Sequence, residues 1–108
     1  MEHKSHETYT KHLKKVVESR HHAEDTLKRA IASMHYVAFG EKDHKTATGH
    51  VERCKELVIS GNIILKAITA SEHIGDEHVE DLDEAFELFD EALEEASEVL
   101  ALIELMKE

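Results

Sequence analysis

The sequence has no proline and no tryptophan, and only four of its 108 residues are glycine. Glycine and proline are the residues that most often end helices and form the tight turns of β-proteins. Their scarcity excludes a fold of many short strands and favours long, uninterrupted helices. A chain of this length has room for one hydrophobic core, so we expect residues 1–108 to form a single domain.

Cysteine is almost absent as well, since Cys54 is the only one, and an internal disulfide is therefore excluded. The first fifteen residues contain no apolar run of the kind found in signal peptides. The most apolar stretch, LVISGNIILKAITA at residues 57–70, is too short and too interrupted by polar residues to cross a bilayer. These absences predict a cytoplasmic protein without a membrane partner.

The common catalytic signatures are missing. There is no Gly-rich phosphate-binding loop, no nucleophile elbow and no Cys-x-x-Cys pair. Cys54 occupies an apolar position between Val51 and Val58, where a thiol acts as a small core residue. We therefore expect a protein that is not an enzyme.

Three long segments repeat apolar residues at alternating steps of three and four, which is typical of helices packed side by side. The pattern predicts helices at about 5–39, 45–74 and 77–107, and short connections make neighbouring helices antiparallel. The predicted fold is all-α, an antiparallel up-down-up bundle of three long helices. The expected core positions are Tyr9, Leu13, Val16, Arg20, Ala23, Leu27, Ala30, Met34 and Val37; Ala47, Val51, Cys54, Val58, Gly61, Leu65, Ile68 and Glu72; and Val79, Leu82, Phe86, Phe89, Leu93, Ala96, Leu100 and Ile103.

The helix ends also have signals in the sequence. Gly40 and Gly75 lie where a helix end favours a residue that tolerates positive φ. Asp43 or Thr46 could start helix two, and Asp76 is suited to cap the N-terminus of helix three.

Helix two carries a second apolar line opposite its core-facing side. Its members are spaced four, four, three and four residues apart and are Ile59, Ile63, Ala67, Ala70 and Ile74. A three-helix bundle has no neighbour to cover this line, and each isoleucine left in water forgoes about 1.5–3 kcal/mol of transfer free energy. We therefore expect these residues to form the interface of a homodimer, so that two chains pair into a dimeric bundle.

An alternative explains the same residues within one chain. Ser60-Gly61-Asn62 could break helix two and shift the helical phase of residues 63–74, giving four helices and a single apolar side. Glycine inside a helix costs only about 1 kcal/mol, so the break is not forced.

Ten histidines are present, most densely in ESRHHAED. Glu18, His21, His22 and Asp25 fall at i, i+3, i+4 and i+7, so they share one face of helix one and could hold zinc or nickel. This face is the outer one, because it lies opposite the apolar residues. A His-rich metal-binding protein is therefore the alternative function.

Arg20 interrupts the apolar line of helix one. A buried guanidinium needs a carboxylate, and helix three offers candidates to face it: Glu91, Glu94, Glu95 and Glu98. Two other interpretations are a packed stem with its charged end in water, and a cation that binds an anion in the core.

The net charge of −11 is distributed unevenly. Residues 1–56 hold eleven Lys/Arg and nine Asp/Glu, whereas residues 57–108 hold two and fifteen. An acidic surface repels phosphate backbones, so we expect no nucleic-acid partner. That surface is a solvated helix face in its simplest role, and it could also attract a basic protein partner. The sequence as a whole predicts a non-enzymatic interaction or assembly module that self-associates through helix two.

Overall fold

A computed structural model of the chain contains three helices: α1 (Glu2–Met34), α2 (Glu41–Thr69) and α3 (Glu77–Met106). The structure describes the backbone of residues 2–71, 75 and 77–107, and the side chains of residues 7–71, 75 and 77–107. No strand occurs within those ranges. The prediction of an all-α bundle of three long helices is confirmed.

α3 lies between the other two helices. α1 and α2 each pack closely against α3 and touch one another much less. His12 of α1 lies against Asp83 near the start of α3, so α1 and α3 run parallel. His50 near the start of α2 lies against Glu95 in the C-terminal half of α3, so α2 runs antiparallel to it. The directions follow the predicted up-down-up order, and the molecule is a rod 58 Å long.

Every predicted core position of α2 that the structure describes is buried. These positions are Ala47, Val51, Cys54, Val58, Gly61, Leu65 and Ile68, while Glu72 lies outside the described residues. The prediction succeeds here because α2 packs chiefly against one neighbour, and a single line of apolar residues is enough to face it.

The core of α3 is wider than predicted. Leu82, Phe89, Ala96 and Ile103 are buried as expected, but the other four predicted positions are only half-buried: Val79, Phe86, Leu93 and Leu100. In their place Ala85, Ala92 and Val99 are fully buried. A helix with neighbours on two sides buries a broader face than one line of residues, and small side chains let a neighbouring backbone approach closely.

The buried face of α1 matches the prediction in part, since Tyr9, Val16, Ala23 and Ala30 are buried as expected. Ser19 and Thr26 are buried, although both are polar, while Leu13, Leu27 and Met34 are only partly covered. Ala23 and Ala30 are fully buried beside Ser19 and Thr26. The buried side of α1 therefore includes small residues that allow close packing, and Leu13, Leu27 and Met34 lie at its edge.

Three helix boundaries differ from the prediction. α2 ends at Thr69, with Ala70 as its C-cap, and not at about residue 74. α1 ends at Met34, where His35, Tyr36 and Val37 form hydrogen bonds of 3.1–3.4 Å to carbonyls three residues back, a pattern that tightens a helix end. α2 begins at Glu41, so the start at Asp43 or Thr46 is wrong.

Gly40 is the N-cap of α2 and has an extended backbone, with φ −67° and ψ 163°. Glu41 and Asp43 place negative charge near the positive end of the helix dipole, which favours this start. None of the described glycines has a positive φ, so that prediction for Gly40 and Gly75 is wrong. Asp76 lies outside the described residues.

α2 continues as one helix through Ser60-Gly61-Asn62, so the four-helix alternative is wrong. Gly61 is buried against the ring of Phe89, and a Cβ at position 61 would lie only 2.7 Å from Phe89 Cζ. Phe89 is itself fully buried and has no room to move aside. The glycine therefore serves close packing between α2 and α3 and is not a helix break.

The close contact between Gly61 and Phe89 predicts that substitution by alanine destabilises the protein at position 61 but not at Gly49, the other glycine within α2. Gly61→Ala should lower the free energy of unfolding by about 1–2 kcal/mol, because the cost of overpacking exceeds the gain in helix propensity. Gly49→Ala is the matched control: nothing lies within 4 Å of its added Cβ, so it should raise the free energy of unfolding by about 0.5–1 kcal/mol. Urea unfolding followed by circular dichroism measures both values, and a stabilised Gly61→Ala protein would contradict the packing argument.

Candidate functional site

The apolar residues on the outer side of α2 are exposed. Ile59 is 59% and Ile63 63% exposed, and Ala67 and Ala70 are exposed beside them. We call these four residues the outer stripe. Ile74, the fifth predicted member, lies outside the described residues. The stripe faces away from α3, because the opposite side of α2 is the one that packs in the core.

The two isoleucines differ from other exposed apolar residues of the described chain. Tyr36 and Leu105 are also exposed, at 90% and 69%, but among the described residues neither has a second large exposed apolar residue one helical turn away; Tyr36 lies in the first connection and Leu105 near the end of α3. Ile59 and Ile63 are separated by one helical turn and continue into Ala67, so they form one apolar surface. Isolated apolar residues on a surface are ordinary, whereas a contiguous patch points to a contact.

One edge of the outer stripe continues into a groove between α2 and the start of α3. The groove has a volume of about 260 Å³, and its lining residues are Ile63, Ile64, Ala67, Ile68, His78 and Asp81. Because Ile63 and Ala67 belong to both surfaces, the apolar area extends from the outer stripe toward α3. A helix placed on the stripe would have this groove beside it.

Charge is segregated between the helices. The α2 segment contains five Lys/Arg and four Asp/Glu, whereas the α3 segment contains twelve Asp/Glu and no Lys/Arg. Within α2, the exposed Glu56 precedes the stripe by three residues, and the exposed Lys66 lies in its C-terminal half, between Ile63 and Ala67. The outer stripe therefore lies on α2, which is nearly neutral, whereas the acidic surface lies on α3.

α2 and α3 are joined by polar contacts that were not predicted from the sequence. His50 Nδ1 donates to Glu95 Oε2 at 2.8 Å, and Arg53 Nε lies 3.0 Å from Glu95 Oε1. Glu95 is only 19% exposed, so this pair of contacts is partly shielded from water. The residue types are visible in the sequence, but which of them meet depends on the register of α2 against α3.

Arg20 has a different partner from the one predicted. Its Nε lies 3.9 Å from Glu24 Oε1 on the same helix, so the prediction of a carboxylate from α3 is wrong. The side chain is 30% exposed, while Nε itself is buried without a hydrogen-bond partner. Arg20 thus lies at the edge of the core, with its side chain only partly open to water and its ion pair on α1 itself.

The residues of the predicted metal site lie on α1, where His21 and His22 are exposed to water: the full set is Glu18, His21, His22 and Asp25. Among the described residues, no three His, Cys, Asp or Glu side chains are grouped so that they could hold a metal ion. A zinc or nickel site on the outer face of helix one therefore stays a prediction without support from the geometry.

Cys54 lies in the core of α2 and is fully buried. Burial, with a smaller contribution from the negative charge of Glu95, raises the pKa of the Cys54 thiol from 9.0 to about 11. A thiol of this kind is protonated at neutral pH and is a poor nucleophile.

We predict that iodoacetamide at pH 8 alkylates Cys54 at least about a hundredfold more slowly in the folded protein than in urea, because the raised pKa lowers the thiolate fraction by that factor. Lys55→Cys supplies a control, since position 55 is exposed on the same helix. Mass spectrometry of that variant should show one rapid modification, at the introduced thiol, and one slow modification, at Cys54. Rapid modification of Cys54 in the native protein would contradict its placement in the core.

No helix in the described part of the chain is long and apolar enough to cross a membrane. Comparison with known proteins gave no match to a family model, to a curated protein sequence or to a solved structure. The outer stripe and its surroundings are therefore the features that bear on function.

Proposed function

We propose that this protein is a non-enzymatic assembly module that forms a homodimer through the outer stripe of α2. The observation that carries the proposal is the exposure of Ile59 and Ile63 on a helix whose other side is already packed in the core. Covering the part of each isoleucine that is still exposed gains about 1–2 kcal/mol of transfer free energy, and a symmetric dimer covers both on each chain. The free thiol of Cys54 suits a reducing compartment, so we place the module in the cytoplasm.

The charge distribution supports a second copy of the chain as the partner. Two chains of net charge −11 repel one another, and the repulsion is greatest where acidic surfaces meet. Pairing through α2 brings together the helices with nearly balanced charge and keeps the two α3 helices on the far sides. The outer stripe is therefore the apolar surface at which self-association meets the least repulsion.

Self-association can be measured by sedimentation equilibrium over about 1–200 μM protein. We expect a reversible monomer–dimer equilibrium with a dissociation constant on the order of micromolar, because the apolar surface is small and association itself costs free energy. Ile63→Asp should shift this equilibrium to the monomer by at least about tenfold in dissociation constant, since it places a charge in the middle of the interface.

Leu105→Asp is the matched control, because it removes an equally exposed apolar residue and adds the same charge outside the outer stripe. Its dissociation constant should stay within about threefold of that of the parent protein. Circular dichroism and urea unfolding establish that both variants are folded. A parent protein that stays monomeric at the highest concentration of this range would refute the proposal.

A further inference from the structure

We propose that the two α2 helices of this dimer pair antiparallel, with the two-fold axis at Ile63, so that Ile59 of each chain packs on the partner's Ala67. The inference rests on the proposed self-association and adds the orientation of the partner. Two observations support this orientation: the sizes of the side chains in the outer stripe, and the charges of Glu56 and Lys66.

The stripe has a bulky half and a small half. Ile59 and Ile63 occupy the N-terminal part and Ala67 and Ala70 the C-terminal part. In a parallel pair, isoleucine would meet isoleucine at one end and alanine would meet alanine at the other, so the helices would splay or leave a void. In an antiparallel pair about Ile63, Ile59 and Ala67 each lie four residues from the axis and meet one another. Ile63 meets its own copy at the axis, and large side chains pack against small ones on both sides of it, so the two ends of the interface are equally wide.

The charges of Glu56 and Lys66 favour the same orientation. A parallel pair would align Glu56 with its own copy and Lys66 with its own copy, and like charges repel. In the antiparallel pair the partner's Lys66 lies at the level of residue 60, about 6 Å along the helix axis from Glu56. Each end of the interface therefore has one Glu56 and one Lys66 from the partner, separated by about one helical turn along the axis. The two helix dipoles are also antiparallel, which is favourable.

Disulfide trapping tests the orientation. Ile59→Cys and Ala67→Cys are made as separate variants, and Cys54 is kept because it is buried. In the antiparallel dimer each new thiol lies eight residues, about 12 Å, along the axis from its own copy, which is too far for a disulfide. The new thiol of an Ile59→Cys chain instead faces that of an Ala67→Cys partner.

We expect each variant alone to stay almost free of cross-links on mild oxidation. An equimolar mixture, equilibrated before oxidation, should give the mixed disulfide in up to about half of its dimers, the share of mixed pairs that random exchange produces. Peptide mass spectrometry identifies the linkage between position 59 of the Ile59→Cys chain and position 67 of the Ala67→Cys chain. The parent protein, which carries Cys54 alone, should give no cross-link under the same conditions.

The other outcomes separate the two proposals. Disulfides formed by each variant on its own would show a parallel pair and overturn the inference. Dimers by sedimentation without any cross-link would overturn the orientation and leave self-association standing. Monomers throughout would overturn both.

Discussion

The packing of α3 between α1 and α2 is the constraint on which the other features of this molecule depend. Because α2 meets α3 along one side and barely touches α1, its opposite side has no neighbour within the described chain. Gly61 lets Phe89 approach the backbone of α2 at the middle of that contact, and the helix runs unbroken on both sides of residue 61. A continuous α2 places Ile59 and Ile63 one turn apart on the outer side, and the outer stripe exists for that reason.

The same arrangement separates charge from apolar surface. Most acidic residues of α3 project from its outer side, since its inner side is occupied by two neighbours, while Asp83 contacts His12, and Glu95 contacts His50 and Arg53. Glu95 illustrates the consequence, because it ties α2 to α3 and also raises the pKa of Cys54. α3 thus provides both cohesion and acidic surface, and α2 is left as the helix on which an apolar contact meets little repulsion.

The sequence predicted those features that depend on one helix at a time. Apolar spacing was enough to place three helices and to identify both sides of α2, because each follows from the helical repeat alone. It failed where the answer depends on how two helices meet. Ala85 and Ala92 are buried ahead of Phe86 and Leu93 because α3 has two neighbours, and Arg20 has its ion pair with Glu24 of its own helix and not with a carboxylate of α3. The helix ends at Met34 and Glu41 were misplaced because local hydrogen bonds decide them.

The exposed isoleucines of the outer stripe are unfavourable in an isolated chain for two reasons. The outer side of α2 before the stripe is charged, as Lys45, Glu52 and Glu56 show, so the helix needs no apolar residue there to form. Isoleucine is a poorer helix former than lysine or glutamate, because its branched Cβ restricts the side chain against the preceding turn. Ile59 and Ile63 therefore cost free energy twice in an isolated chain, once in helix propensity and once in exposure to water. Both costs are offset when another surface covers the two residues, and packing among the three described helices requires neither residue.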